Sequence, residues 1–63
     1  SFVICKRGLS EKELTKIRTV LDVLREEYEY DDVCYSESDK HIFGSMSINA
    51  EYESIKKYME MGN

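Results

Sequence analysis

The residue types in this chain that could carry chemistry are two cysteines, one histidine and a dense run of carboxylates. Cys34, Asp39 and His41 together have the composition of a thiol nucleophile with its base and an orienting acid. Their spacing matches no catalytic motif, and a single histidine excludes a two-histidine metal site within one chain. We therefore predict a protein that is not an enzyme and that holds neither a metal ion nor another cofactor.

The carboxylates are concentrated in residues 26–32, where five acids are interspersed with two tyrosines. Acids at the carboxyl end of a helix oppose its macrodipole, at a cost of a few tenths to about 1 kcal/mol each, which favours a functional reason for them. We predict a partner-binding surface that offers carboxylates to lysine or arginine, with Glu37 and Asp39 close by across a hairpin. Its residues are Glu26, Glu27, Glu29, Tyr30, Asp31 and Asp32. The alternative is a solubilising helix end, with Tyr28 in the core and Tyr30 at the start of a strand.

The charge balance bears on the kind of partner. Thirteen acidic and nine basic residues give a net charge of −4, which disfavours sequence-independent binding of nucleic acid and favours a partner protein with a basic surface. The weaker alternative is a small dimeric nucleic-acid-binding regulatory protein that gathers its basic side chains on one surface. Those side chains are Lys6, Arg7, Lys12, Lys16, Lys56 and Lys57.

The element that must position the acidic run is a long amphipathic helix. Ser10 and Glu13 form a capping box that starts this helix at Glu11, and Leu9 is placed to pack on Leu14 as a hydrophobic staple. Apolar residues then recur at spacings of three and four, which predicts one buried face. These residues are Leu14, Ile17, Leu21, Leu24 and Tyr28.

Three short strands are predicted around this helix. Residues 2–5 and 33–36 are rich in strand formers, and residues 41–48 alternate between the two faces of a strand. Gly44 within the last of these marks a bulge or a close backbone contact.

A second helix is predicted over residues 50–61, with Asn49 as its N-cap. Its apolar residues Tyr52, Ile55 and Met59 lie on one side of the helix and are predicted to cover the same core as the first helix.

The order of elements predicts an α+β fold that forms a single domain over residues 1–63. In this β-α-β-β-α order, strands one and two are parallel, strand three is antiparallel, and both helices lie on one face of a three-stranded mixed sheet. The topology resembles a ferredoxin-like unit that lacks its last strand. The missing strand would leave an open strand edge, through which we expect a homodimer.

The remaining composition narrows the function class. The chain has no apolar run of about eighteen residues and no charged leader, so we expect neither a membrane span nor a signal peptide, and a cytoplasmic location. The absence of Pro, Trp and Gln is typical of A+T-rich coding in bacteria and bacteriophages. We predict a small acidic protein-interaction module, such as a bacterial or phage inhibitor or regulator of a host enzyme or nucleic-acid-binding protein.

Overall fold

The computed structural model describes residues 1–29 and 32–61. In these ranges three strands and two helices follow one another in the predicted β-α-β-β-α order. The elements are β1 (Phe2–Cys5), α1 (Glu11–Glu27), β2 (Val33–Glu37), β3 (His41–Met46) and α2 (Ile48–Glu60). The predicted α+β class is therefore confirmed, and the elements pack into a small compact body with a Cα radius of gyration of 11.1 Å.

Helix α1 begins where its local sequence predicts. The backbone N–H of Glu13 donates to Oγ of Ser10 at 3.2 Å, and the backbone N–H of Ser10 donates to Oε1 of Glu13 at 3.2 Å. This capping box satisfies two of the donors that a first helical turn leaves without partners. Leu9 packs against the core cluster that contains Leu14, in the position of the predicted hydrophobic staple.

The sheet is antiparallel throughout, with β3 between β1 and β2. Ile4 of β1 and Glu37 of β2 both lie opposite Ile42 of β3. The predicted mixed sheet is wrong. The crossover through α1 does leave β1 and β2 pointing in the same direction, but β3 turns back from β2, fills the space between the two strands and pairs antiparallel with each.

The central strand passes β2 very closely at Gly44. A Cβ atom on this residue would lie 2.1 Å from the carbonyl oxygen of Cys34 and 2.7 Å from Cα of Tyr35, which is too close for a side chain. The predicted close backbone contact at Gly44 is therefore confirmed, because a residue without a side chain is needed there.

Both helices cover the same face of the sheet. Every layer contributes to the core, and Leu24 of α1, Val33 of β2, Ile42 of β3 and Ala50 of α2 all have an exposed fraction of 0%. The strand residues that alternate with these point away from the helices, and Phe43 on that side is exposed. The core is thus one layer of side chains between the sheet and the helix pair.

The start of α2 differs from the prediction. Ser47 is the N-cap in place of Asn49, and Oγ of Ser47 accepts a hydrogen bond from the backbone N–H of Ala50 at 3.2 Å. A single residue separates the end of β3 at Met46 from the first residue of α2, so the strand fixes the rotation of the helix about its axis. Ala50 consequently faces the core, and the half-buried Tyr58 packs on the same core cluster two turns later.

Candidate protein-interaction surface

The predicted acidic surface lies where α1 ends and the chain turns towards β2. Glu26 and Glu27 are the last residues of α1 and are exposed. The turn that follows contains Glu29 and Asp32, and the carbonyl oxygen of Glu29 accepts a hydrogen bond from the N–H of Asp32 at 2.8 Å. We call these four residues the acidic end. Two further predicted site residues lie outside the described residues, namely Tyr30 and Asp31.

The acidic end adjoins α2 at two places, through Asp32 at the start of the helix and through Glu27 at its last turn. The backbone N–H of Ser47 donates to the carbonyl oxygen of Asp32 at 2.8 Å. In addition, Oε1 of Glu27 lies 3.5 Å from Nζ of Lys57 in α2. The cost that Glu27 imposes on the carboxyl end of α1 is therefore offset in part by Lys57 of α2.

The hairpin acids that were expected beside this surface lie towards the other end of the sheet, so that prediction is wrong. Glu37 ends β2, about 13 Å along the strand from its start beside the acidic end. Its carboxylate accepts hydrogen bonds from the Arg18 guanidinium at 2.9 and 2.7 Å and pairs with Lys6. The hydrogen bond from Arg18, followed by that from Lys6, lowers the pKa of Glu37 to about 2. Asp39 lies in the adjoining turn, where the carbonyl of Lys40 accepts from the N–H of Lys6 at 2.9 Å.

An apolar stripe runs along the outer side of α2. Ile48, Tyr52, Ile55 and Met59 have exposed fractions of 86, 70, 57 and 72%. Their spacings of four, three and four residues place them on one side of the helix. The prediction that Tyr52, Ile55 and Met59 cover the core of the domain is wrong, because the opposite side of α2, at Ala50, packs in that core. We call the four exposed residues the α2 stripe.

The sequence contains a signal that could have identified the α2 stripe as a surface. Ala50 and Ser54 lie one turn apart, and Ala50 is completely buried whereas Ser54 is half-buried. Small side chains on one side of a helix allow close approach to a neighbouring layer, so this side is suited to packing on the core even though it is the less apolar one.

A groove beside the α2 stripe leads into the core between the two helices. It has a volume of about 210 Å³ and is lined by apolar side chains together with Ser54. Ile55 and Met59 of the stripe lie on one side of it, Ile17 of α1 lies on the other, and Ile4 of the edge strand β1 contributes to its lining. The stripe is thus continuous with a recess that can accept an apolar side chain of a partner.

The structure does not bring Cys34 and His41, the predicted thiol and base, together. Cys34 lies opposite Ser45, four residues along β3 from His41, whereas His41 lies opposite Cys5. Cys5 and Cys34 are both free thiols. Within residues 1–29 and 32–61, the histidine, cysteine and carboxylate side chains form no group of three that could hold a metal ion.

Several basic residues of the nucleic-acid alternative are engaged within the chain. Lys6 and Lys57 each pair with a glutamate. Nζ of Lys16 lies 4.2 Å from the centre of the Tyr58 ring, a cation–π contact between α1 and α2. The two ion pairs reduce the positive charge that this part of the chain can offer to phosphate groups, and the cation–π contact restrains Lys16.

Comparisons with known proteins give no relative, since no family model, curated protein or solved structure matches the chain. Neither helix of the described part is both long and apolar enough to cross a membrane. Function is therefore inferred from the surfaces of the chain itself.

Proposed function

We propose that the chain is a non-enzymatic protein-interaction module that binds through the α2 stripe, with the acidic end as its charged border. The exposure of the α2 stripe, between 57 and 86% for each side chain, is the observation that carries the proposal. Large side chains have ~150–250 Å² of surface when fully exposed, so the stripe presents on the order of 600 Å². The largest exposed apolar patch of a typical monomer measures about 300–600 Å² and is often functional, so the stripe is at the upper end of that range.

The residue types of the surface suit a protein partner. Tyrosine and methionine, here Tyr52 and Met59, are enriched at the centres of protein interfaces, where charged residues are depleted. Asp32 of the acidic end lies next to the start of α2, close to Ile48, so charge borders this part of the apolar stripe as in the rim of an interface. Carboxylates in such a rim attract lysine and arginine and speed association with a basic surface. We therefore propose that the α2 stripe binds an apolar surface and that the acidic end binds a basic one.

Inhibition or regulation of a host enzyme or nucleic-acid-binding protein is the role that we propose for this module. A groove that binds nucleic acid carries positively charged side chains that contact phosphate groups. An acidic protein surface can bind the same side chains and so compete with the nucleic acid. The likeness to a ferredoxin-like unit without its last strand belongs to the same proposal. Within the described residues β1 pairs with β3 on one side, and its other edge is open. A partner strand can be added at this edge, beside the groove that Ile4 of β1 helps to line.

Affinity capture with matched variants tests the proposal. The tagged chain and a Tyr52→Ser, Ile55→Ser double variant are incubated with bacterial lysate at low and moderate salt. Phe43→Ser is the control, because Phe43 is an exposed apolar residue of the central strand β3 and lies on the other face of the sheet. We expect the wild type and the control to retain a stoichiometric protein that the double variant loses.

A charge-reversal variant tests the border of the surface separately. Glu27→Lys combined with Glu29→Lys should weaken capture of the same protein, and more strongly at low salt than at moderate salt. If the stripe variant and the charge-reversed variant both capture the same proteins as the wild type, the proposed surface is wrong.

A further inference from the structure

We propose that the protein covering the α2 stripe is a second copy of this chain, in a twofold dimer whose two α2 helices run parallel. This inference rests on the proposed function, because it names the occupant of the same stripe. It leaves the acidic end of each chain available to the partner with a basic surface.

The spacing of the stripe is that of a coiled-coil seam. Ile48, Tyr52, Ile55 and Met59 occupy successive d, a, d and a positions of a heptad, which is the pattern that packs two helices side by side. A helix that only covered the core of its own domain would point this seam at the sheet. Here the seam points outward, with more than half of each side chain exposed.

The charges that flank the stripe select the parallel arrangement. Glu51 is at the g position on one side of the seam and Lys56 is at the e position on the other, and both are exposed. In a parallel pair each g residue faces the e residue five positions later on the partner helix, so Glu51 of each copy meets Lys56 of the other. In an antiparallel pair g faces g and e faces e, which would place Lys56 opposite Asn49 and Glu51 opposite Tyr58, without opposite charges.

Glu51 and Lys56 have their charges available for this contact. Within the described residues the ion pairs of the chain involve other side chains, for example Glu27 with Lys57 on the inner part of α2. The dimer would therefore add two ion pairs without breaking any that the single chain makes.

The area is close to what a specific dimer needs. A standard interface buries about 800 Å² on each partner, and the stripe supplies on the order of 600 Å² before its flanking residues are counted. The adjoining groove adds apolar surface at Ile55 and Met59. Self-association through α2 thus differs from the strand-edge dimer that the sequence led us to expect.

The parallel arrangement also has a consequence for the acidic end. Asp32 of the acidic end adjoins the start of α2, as the hydrogen bond from the Ser47 N–H to its carbonyl oxygen shows. Glu27 lies beside the last turn of α2, where it pairs with Lys57. Two parallel α2 helices run at the same level along the dimer, so the two acidic ends lie at the same level, with each Asp32 near the start of its α2 helix. The dimer would present one larger negative surface to a basic partner.

Sedimentation equilibrium of the purified chain, from micromolar to millimolar concentration, tests the dimer. Ile55→Ser should weaken the dissociation constant on the order of a hundredfold or more, because it removes one seam residue from each copy. Glu51→Lys and Lys56→Glu should each weaken it by about tenfold, since two attractive pairs become repulsive. Glu53→Lys, on the side of α2 away from the stripe, is the charge control and should leave it unchanged. A wild-type chain that stays monomeric at millimolar concentration would overturn the inference.

Recombining the charges tests the direction of the helices. The double variant Glu51→Lys, Lys56→Glu should recover the wild-type dissociation constant, and an equimolar mixture of the two single variants should form a heterodimer. In a background of Cys5→Ser and Cys34→Ser, Tyr52→Cys should cross-link to itself under oxidation, because equivalent a positions meet in a parallel pair. Absence of rescue, or a cross-link of Tyr52→Cys with Ile55→Cys in place of the self cross-link, would overturn the parallel arrangement.

The two proposals fail in different ways. A monomeric wild type refutes the dimer, yet affinity capture can still show a different protein held by the α2 stripe. The opposite result is a dimer that forms as described, together with affinity capture that is the same for the wild type and for every surface variant. That result would support self-association and refute the binding of another protein through this surface.

Discussion

The outward position of the α2 stripe leads to a sharp stability prediction for Met59→Ala. Met59 is 72% exposed, so the substitution removes only the quarter or so of the side chain that packs on its neighbours. Full burial of a methionine is worth about 1.5–3 kcal/mol, and the better helix propensity of alanine offsets a little of the loss. We therefore expect the free energy of unfolding to fall by less than about 1 kcal/mol.

Leu24→Ala is the matched control for a residue that faces the core. Leu24 lies on α1 with an exposed fraction of 0% and packs with Val33 and Ala50. Truncation of such a residue removes its buried surface and leaves a cavity, at a cost of about 2–5 kcal/mol. In a domain of this size that is a large part of the total stability, so this variant should be close to unfolded.

Urea denaturation followed by far-ultraviolet circular dichroism measures both variants. The protein must be dilute enough to be monomeric, because dimer formation would add its own binding free energy to the stability of the wild type. A loss of 2 kcal/mol or more for Met59→Ala would refute the reasoning. It would mean that α2 turns its stripe towards the sheet, as the apolar pattern alone suggested, and the proposed interaction surface would no longer exist.

Ser47→Ala should lower the free energy of unfolding by about 1 kcal/mol because it removes the cap of α2, whereas Asn49→Ala should change it by less than about 0.5 kcal/mol. Urea denaturation compares the two variants, and the opposite ranking would contradict the observed start of α2. Glu37→Gln should flatten the acid side of the profile of stability against pH. The hydrogen bonds from Arg18 and then Lys6 lower the pKa of Glu37 from its ordinary 4.5 to about 2 in the folded chain. This group therefore stabilises the wild type fully above pH 4.5 and progressively less as the pH falls to about 2. Denaturation at successive pH values measures the effect, and equal slopes for wild type and variant in that range would count against it.

The elements of this fold were predictable wherever short-range chemistry decides them. The capping box of Ser10 and Glu13 starts α1 because both partners lie within one helical turn. The hairpin of β2 and β3 follows from strand-forming residues on either side of a polar turn, and Gly44 signalled its close backbone contact in advance. Each of these features depends on residues that are near one another in sequence or in adjoining strands.

The candidate site was predictable only in part. The acidic run was visible as a composition, and four of its six predicted residues lie together at the end of α1. Its supposed neighbours Glu37 and Asp39 were misplaced, because the direction of β2 carries the hairpin turn away from the acidic end. Ion pairing of Glu37 with Arg18 and Lys6 depends on this long-range geometry. The spacing of charged residues along the sequence does not predict it.

The sequence by itself determined that α2 is amphipathic, that α1 is long and capped, and that the class is α+β, since these properties follow from local hydrogen bonding and from the period of the apolar residues. Only the tertiary structure decided which side of α2 is buried. The spacing of apolar residues shows which side of a helix is apolar. The same spacing is found whether that side packs on the sheet of its own domain or binds another chain. The single-residue connection through Ser47 fixes the rotation of α2, the small Ala50 allows close contact with the core, and the larger residues of the stripe are left outside.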